Sequence, residues 1–397
     1  MLIKVKNISY SYFIFALFIL IIASFFNMRA MEHGTEYSVF TRIAMALALL
    51  VWAFSAAKLF LPNYKLYLPP TTIILFCVYF LWASIPTLLD DKTQTGDYIT
   101  NIMYIFTPMF VLVSSFNSAM HTDFERFDKF VFMILLLALA IQYVLIFKEV
   151  NFFLTNHLAS SYYVLYALPL VLLFKSKWIK LFAIIVVTII LFSSFKRSGV
   201  LALAVSLVVY IMISQFVKKK LKPASVLTAI ALIAIAGVAF YFLATDNSTG
   251  NTILDRFENV DQDQGSGRIP LWEQTIRMIE DQDLSNQIIG NGFNTVLRES
   301  TLQLSAHNDF LETAYDFGII GLLLYIGAFF TLFFVVFKMI RKKSRYAPSI
   351  AMLAVIYAIQ SMTSHVIIYY WANVFMLSFG YMIGKFQKDE TYPEDNI

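Results

Sequence analysis

The stretch SAHNDFLETAYDFGIIGLLLYIG, residues 305–327, passes from polar sequence straight into an apolar run. Ser305 or Asn308 suits a helix N-cap, and Asp309 and Glu312 suit the positive end of the helix that follows. The apolar run over 317–337 is long enough to cross a bilayer, which takes about 20 residues for roughly 30 Å of hydrocarbon. His307 falls in or just before the first turn, and Leu311, Ala314 and Gly318 follow on its face at steps of three and four. The helix dipole and nearby arginines both disfavour an imidazolium there. His307 is therefore expected to stay neutral near pH 7 and to be able to accept a proton. An interfacial histidine hydrogen-bonded into the structure fits the same position. Gly318 and Gly321 form G-x-x-G at the membrane entry, and close helix packing is the preferred reading of the pair.

The rest of the chain shares this apolar character. Of its 397 residues 59 % are hydrophobic, 17 % aromatic and only 14 % charged. A soluble domain is about half apolar and about a quarter charged, so a soluble globular protein is excluded. A disordered chain and a nucleic-acid binder are excluded more firmly still. About twelve runs satisfy the length rule for a spanning helix. They lie near 10–27, 39–60, 69–89, 99–116, 127–147, 157–174, 179–194, 199–217, 224–244, 317–337, 347–365 and 367–386. Run length and the lack of period-two alternation exclude membrane β-strands. The expected fold is an all-α integral membrane protein. The first run follows Lys4 and Lys6 without a small-residue cleavage site, and it reads as an uncleaved span. Cys77, the single cysteine, can form no internal disulfide, zinc site or redox pair.

Three short basic loops orient the chain: KSKWIK (175–180), KKKLK (218–222) and KMIRKKSR (338–345). Positive-inside bias puts all three in the cytoplasm, separated by even numbers of spans. Both termini are then expected inside, and residues 90–97 and 245–306 outside. The expected organisation is a nine-span region over 1–244, an outer loop with short helices over 245–306, a three-span region over 307–387 and a disordered tail over 388–397. The outer loop holds ten acids, four arginines and no lysine. Pro270 is expected to open a short helix over Leu271–Asp281, with Leu271, Trp272, Ile276 and Ile279 on one face. Gly290 and Asn291-Gly292 mark a turn after it.

Besides His307, two places could carry chemistry. SSFKRSG (193–199) sets Lys196 and Arg197 on the outer side, against positive-inside bias. Charges at such depth are functional, paired or snorkelling to headgroups. In GSGRIPLWEQTIRMI (265–279), Arg268 sits on a glycine-flanked turn, where a guanidinium could grip phosphate oxygens in two-pronged fashion or pair with a nearby acid. Arg256, Arg277 and Arg298 suit surface pairing more readily, although Arg256 and Arg298, with Lys196 and Asn308, remain supporting candidates. Asp261-Gln262-Asp263 and Asp281-Gln282-Asp283 are D-x-D triplets, but neither is joined to a histidine or a Gly-rich phosphate cradle. No metal ligand is assigned.

Together these segments resemble the bacterial O-antigen ligase and O-antigen polymerase superfamily. SAHNDFLETAYDFGIIGLLLY looks like that family's His-Asn segment leading into a spanning helix, and GSGRIPLW followed by IIGNGFNTV looks like the stretch upstream. SSFKRSGVLAL looks like its arginine turn. The resemblance covers residues 190–340. It implies glycan transfer at the periplasmic face of the bacterial inner membrane, without metal or other cofactor. The donor would be an oligosaccharide on undecaprenyl diphosphate. The acceptor would be a lipid-linked repeat unit, for a polymerase, or the lipid A core, for a ligase; the polymerase reading is preferred. By resemblance His307 is the general base, and Arg197 and Arg268 hold the departing diphosphate. Membrane lipid and a chain-length regulator are the further partners expected, and nucleic acid is not. Because the donor is a lipid, the site is expected to open sideways between helices, an opening that Phe and Tyr around 147–166 could line. A secondary transporter is the distant alternative. It would need internal repeats and mid-membrane charges, whereas no repeat is apparent and Arg42 is the main intramembrane charge.

Overall fold

The computed structural model describes residues 67–90, 95–121, 125–149, 161–194, 196–218, 264–367 and 371–391. Among them the regular structure is helical throughout. The helices are α1 (Thr71–Leu89), α2 (Thr95–His121), α3 (Glu125–Glu149), α4 (Ser161–Val171), α5 (Lys177–Ser193) and α6 (Arg197–Val217). They continue as α7 (Gln264–Glu280), α8 (Leu284–Ile289), α9 (Thr295–Glu299), α10 (Asp309–Arg341), α11 (Ala347–Thr363) and α12 (Trp371–Thr391). The expected spans at 10–27, 39–60 and 224–244 lie outside the described residues, as do Arg42, Arg256, the first D-Q-D triplet and the end of the tail.

By length and composition α1, α6, α10 and the Asn101–Met120 part of α2 are able to cross a membrane. The protein is membrane-embedded. On α10 Leu323, Phe330, Phe334 and Phe337 stay exposed, as a lipid-facing stripe requires. Of the stretch expected to span at 157–174, the described residues form α4 and the turn that follows it, and residues 157–160 lie outside the described residues. Every residue of α4 is buried. Tyr162, Tyr163 and Tyr166 are at most 2 % exposed, so these rings do not line an opening to lipid. Packing of α3 and α5 against α4 encloses them.

The chain forms two compact units. One contains α2 from Phe110 onward, α3, α4, α5 and α12 from Asn373 onward. Here the Tyr381 hydroxyl donates to Asp128 Oδ2 at 2.9 Å, and Lys385 Nζ lies 3.8 Å from the same oxygen. The other contains α1, the first part of α2, and α6 to α11. In it α6 packs along α11, α1 packs along α10, and α7, α8 and α9 all rest on α10.

The second unit is organised by a break in α10. Gly318 adopts φ +67° and ψ −173°, a left-handed-side conformation that favours glycine. Carbonyls just before such a break need donors from elsewhere. The loop after α8 supplies them. Asn291 donates its N–H at 3.3 Å and its Nδ2 at 3.0 Å to the Tyr315 carbonyl. The Gly292 N–H reaches the Asp316 carbonyl at 2.8 Å, and Trp82 Nε1 reaches that of Phe317 at 2.9 Å. Gly290 (φ +98°) lies directly against the backbone of Asp316 and Phe317, and Gly318 lies against Ile288 and Gly290. Gly321 packs near Trp82, as the close-packing reading of G-x-x-G expects. The expected turn at Gly290–Gly292 is present. The short helices α8 and α9 stand on either side of it.

Gly318→Ala brings both a strained φ and a methyl group driven into the Ile288 backbone. Thermal unfolding in detergent should show a loss of at least about 2 kcal/mol, well beyond an ordinary surface change.

Candidate functional site

Asn308 is the N-cap of α10. Its Oδ1 accepts the N–H groups of Phe310 (3.0 Å) and Leu311 (3.3 Å). Three buried carboxylates then follow on this helix, and each receives hydrogen bonds from a different segment. The Asp309 carboxylate accepts the Val366 N–H and the Tyr325 hydroxyl, all at 3.0 Å. Glu312 Oε1 accepts the Ala306 N–H at 2.5 Å. Asp316 caps α9, accepting the N–H groups of Asn294, Thr295 and Val296 at 2.9–3.1 Å. The acids at the start of α10 thus do more than complement its dipole. They tie the loop before α9, the loop before α10 and the turn after α11 to a single helix.

His307 lies outside the helix, in the left-handed region at φ +52°. It therefore does not share a helical face with Leu311, Ala314 and Gly318 as expected. Glu312 pins the preceding residue to the first turn of α10, so the chain must turn sharply through His307 to enter the helix. A non-glycine residue holds that conformation only when its surroundings enforce it. The imidazole's pKa is pushed down to about 4, first by burial and then by the positive charges of Arg268 and Lys196. The side chain is therefore uncharged at pH 7, in line with expectation. The leading cause is desolvation.

The cations arrive from two elements. Lys196 occupies the N-cap of α6, half-buried, and Arg197 is the first residue of that helix. Arg268 follows Gly267, whose φ of +72° turns the chain within α7, and it too is half-buried. The helix α7 begins at Gln264, ahead of the expected start, and carries Pro270 inside it. Leu271 and Thr275 form its buried face, while Met278 and Ile279 pack on a cluster of Val296, Ala306 and Tyr315. Ile276, expected on that face, is exposed. A face at steps of four and three from Leu271 passes through Thr275 and Met278 and leaves Ile276 outside.

The remaining candidates separate from His307. Arg298 pairs with Asp90 at 2.8 Å and lies 3.9 Å from Glu299, the surface pairing its sequence context suggested. Asp283 caps α8 through the Asn286 N–H at 3.0 Å, so its carboxylate has a local helical role. Sequence reasoning missed His365, in the turn after α11. Its ring packs against that of His307 with centroids 4.8 Å apart, tilted by 40°, and its Nε2 lies 2.7 Å from Ser305 Oγ. The available signal was topological. Counting spans puts this turn on the same side as His307.

A neutral, half-buried imidazole near positive charges can accept a proton from a hydroxyl while those charges hold an anion. Residues 181–326 match the model of a family described as O-antigen ligase, and this stretch includes Lys196, Arg197, Arg268 and His307. No curated protein matches the chain.

Arg268→Gln removes one of the charges that disfavour the imidazolium. A histidine NMR titration in detergent should show the His307 pKa rising from about 4 toward its ordinary value, with burial still holding it below that value.

Proposed function

Starting from the O-antigen ligase family domain at residues 181–326, we propose that this protein is a glycosyltransferase that moves a glycan from undecaprenyl diphosphate at the periplasmic face of the inner membrane. The observation that carries the reading is the uncharged His307 imidazole within reach of the Arg268 and Lys196 charges. In the reaction the bond between the donor sugar's anomeric carbon and the diphosphate oxygen breaks, and a bond to the acceptor hydroxyl oxygen forms. His307 takes the hydroxyl proton. Undecaprenyl diphosphate leaves with the bonding electron pair, and its charge is met by Arg268 and Arg197 with Lys196 in support. Fixed cations of this kind are worth about 3–4 kcal/mol each where water is excluded, and base assistance is worth about 10²–10⁴-fold. These residues supply charge stabilisation and a base from the chain itself, which supports a metal-independent transfer. The oriented cluster at the far end of α10, Lys338 and Arg341–Lys343, supports a cytoplasmic end opposite an outward-facing site.

The same electrostatics make the base responsive to the donor. In the empty site two cations hold His307 as a weak base. A bound diphosphate offsets their charge, so the imidazole's proton affinity rises as the donor arrives. Neutral His307 is the active form, so rate falls as pH drops through its pKa. The acid limb of kcat, which reports the donor-bound enzyme, should therefore lie at higher pH than that of kcat/KM, which reports the free enzyme. Coincident limbs would remove the coupling.

Chain extension with lipid-linked repeat units is the preferred acceptor chemistry, which makes the protein a polymerase. The matching family, described as O-antigen ligase, favours the ligase alternative. A gel of lipopolysaccharide and lipid-linked intermediates separates them. A deletion strain carrying His307→Ala should match the deletion itself. A single repeat unit on the core identifies a polymerase, and unligated polymer on undecaprenyl diphosphate identifies a ligase. Wild-type lipopolysaccharide from the His307→Ala strain, at normal protein level, would remove the general-base role.

A further inference from the structure

The transfer chemistry above leaves one buried imidazole without a task. His365 is 1 % exposed and lies between α11 and α12. Its ring sits 4.8 Å from that of His307, centroid to centroid, at an interplanar angle of 40°. Its Nε2 shares a 2.7 Å hydrogen bond with Ser305 Oγ, and its Nδ1 lies 3.8 Å from Glu312 Oε1. That same Glu312 oxygen accepts the Ala306 N–H, and the neighbouring Val366 N–H donates to Asp309. Ser305, Glu312 and Asp309 are themselves buried. Two segments distant in sequence, 305–307 and 365–366, are thereby locked to each other and to the first turn of α10. At this depth each hydrogen bond that is made is costly to break, which favours a single arrangement of the two segments.

We infer that His365 is a positioning residue for His307, bracing the imidazole by ring-to-ring contact so that the proton-accepting nitrogen meets the acceptor hydroxyl. The inference rests on the reading of His307 as general base. His307 needs such support because its backbone is left-handed and its side chain leaves the helix, so helical packing does not orient it. The groups around His307 are Lys196 from α6, Arg268 from α7, Glu312 from α10 and His365 from the turn after α11. When His307 takes a proton it becomes a cation facing two others. Displacement of a catalytic group by about 1 Å is enough to lose about 10²-fold in rate.

The test uses the full-length enzyme in detergent, with the strain's undecaprenyl-diphosphate-linked repeat unit as donor. His365→Ala should lower kcat on the order of 10²-fold while leaving the donor KM unchanged. His365→Phe restores a flat ring but not the hydrogen bond to Ser305, and Ser305→Ala keeps the ring but removes the bond. Each should recover part of the lost kcat. If His365→Ala does not insert stably, Ser305→Ala carries the same readout with only an oxygen deleted. Wild-type kcat in His365→Ala, or in Ser305→Ala where that variant stands in, overturns the inference. So does a rise in donor KM at unchanged kcat, which would mean donor binding instead. Wild-type activity in His307→Ala signals failure of the base reading itself, a separate outcome.

Discussion

The second unit depends on the place where two glycines let two backbones meet. Gly290 lies against Asp316 and Phe317, and Gly318 lies against Ile288 and Gly290. No side chain fits between them. The contact breaks α10 about one-quarter of the way along and directs its carbonyls toward the loop after α8. The first turns of the helix are thereby freed from the spanning run. They become a short platform on which α8, α9 and the His307 loop are assembled.

The three acids of that platform act as connectors. Asp309, Glu312 and Asp316 recur at steps of three and four, so they share one face, and each accepts N–H groups from a different loop. Burial raises the stakes of each bond, because an unmet carboxylate in that interior would be costly. The result is a rigid base for an otherwise irregular region. Loops set on rigid elements are suited to carrying chemistry.

Electrostatics then divides the work at the site. Burial comes first in keeping His307 uncharged, and Arg268 and Lys196 add to it. In the proposed reaction the cations that disfavour the imidazolium would also meet the diphosphate, so a bound donor would relieve the conflict and ready the base.

Much of this was legible in the residues. The scarcity of charge and the length of the apolar runs require membrane helices whatever the packing, because a backbone in lipid must satisfy itself. Asn308 as a cap, the turn at Asn291-Gly292 and a neutral histidine at a helix start follow from local chemistry over a few positions. Other features depend on residues far apart in sequence and could only come from the folded chain. The contact of His365 with His307 joins positions 58 apart, and no periodicity connects them. The burial of α4 depends on what packs around it, since its tyrosines suit a lipid interface equally well in isolation. The left-handed backbone of His307 arises because Glu312 holds Ala306, a bond formed across the start of a helix. Sequence by itself determined which segments leave water. Tertiary structure decided which polar groups meet once water is gone, because each buried donor must then find its acceptor wherever the fold brings one.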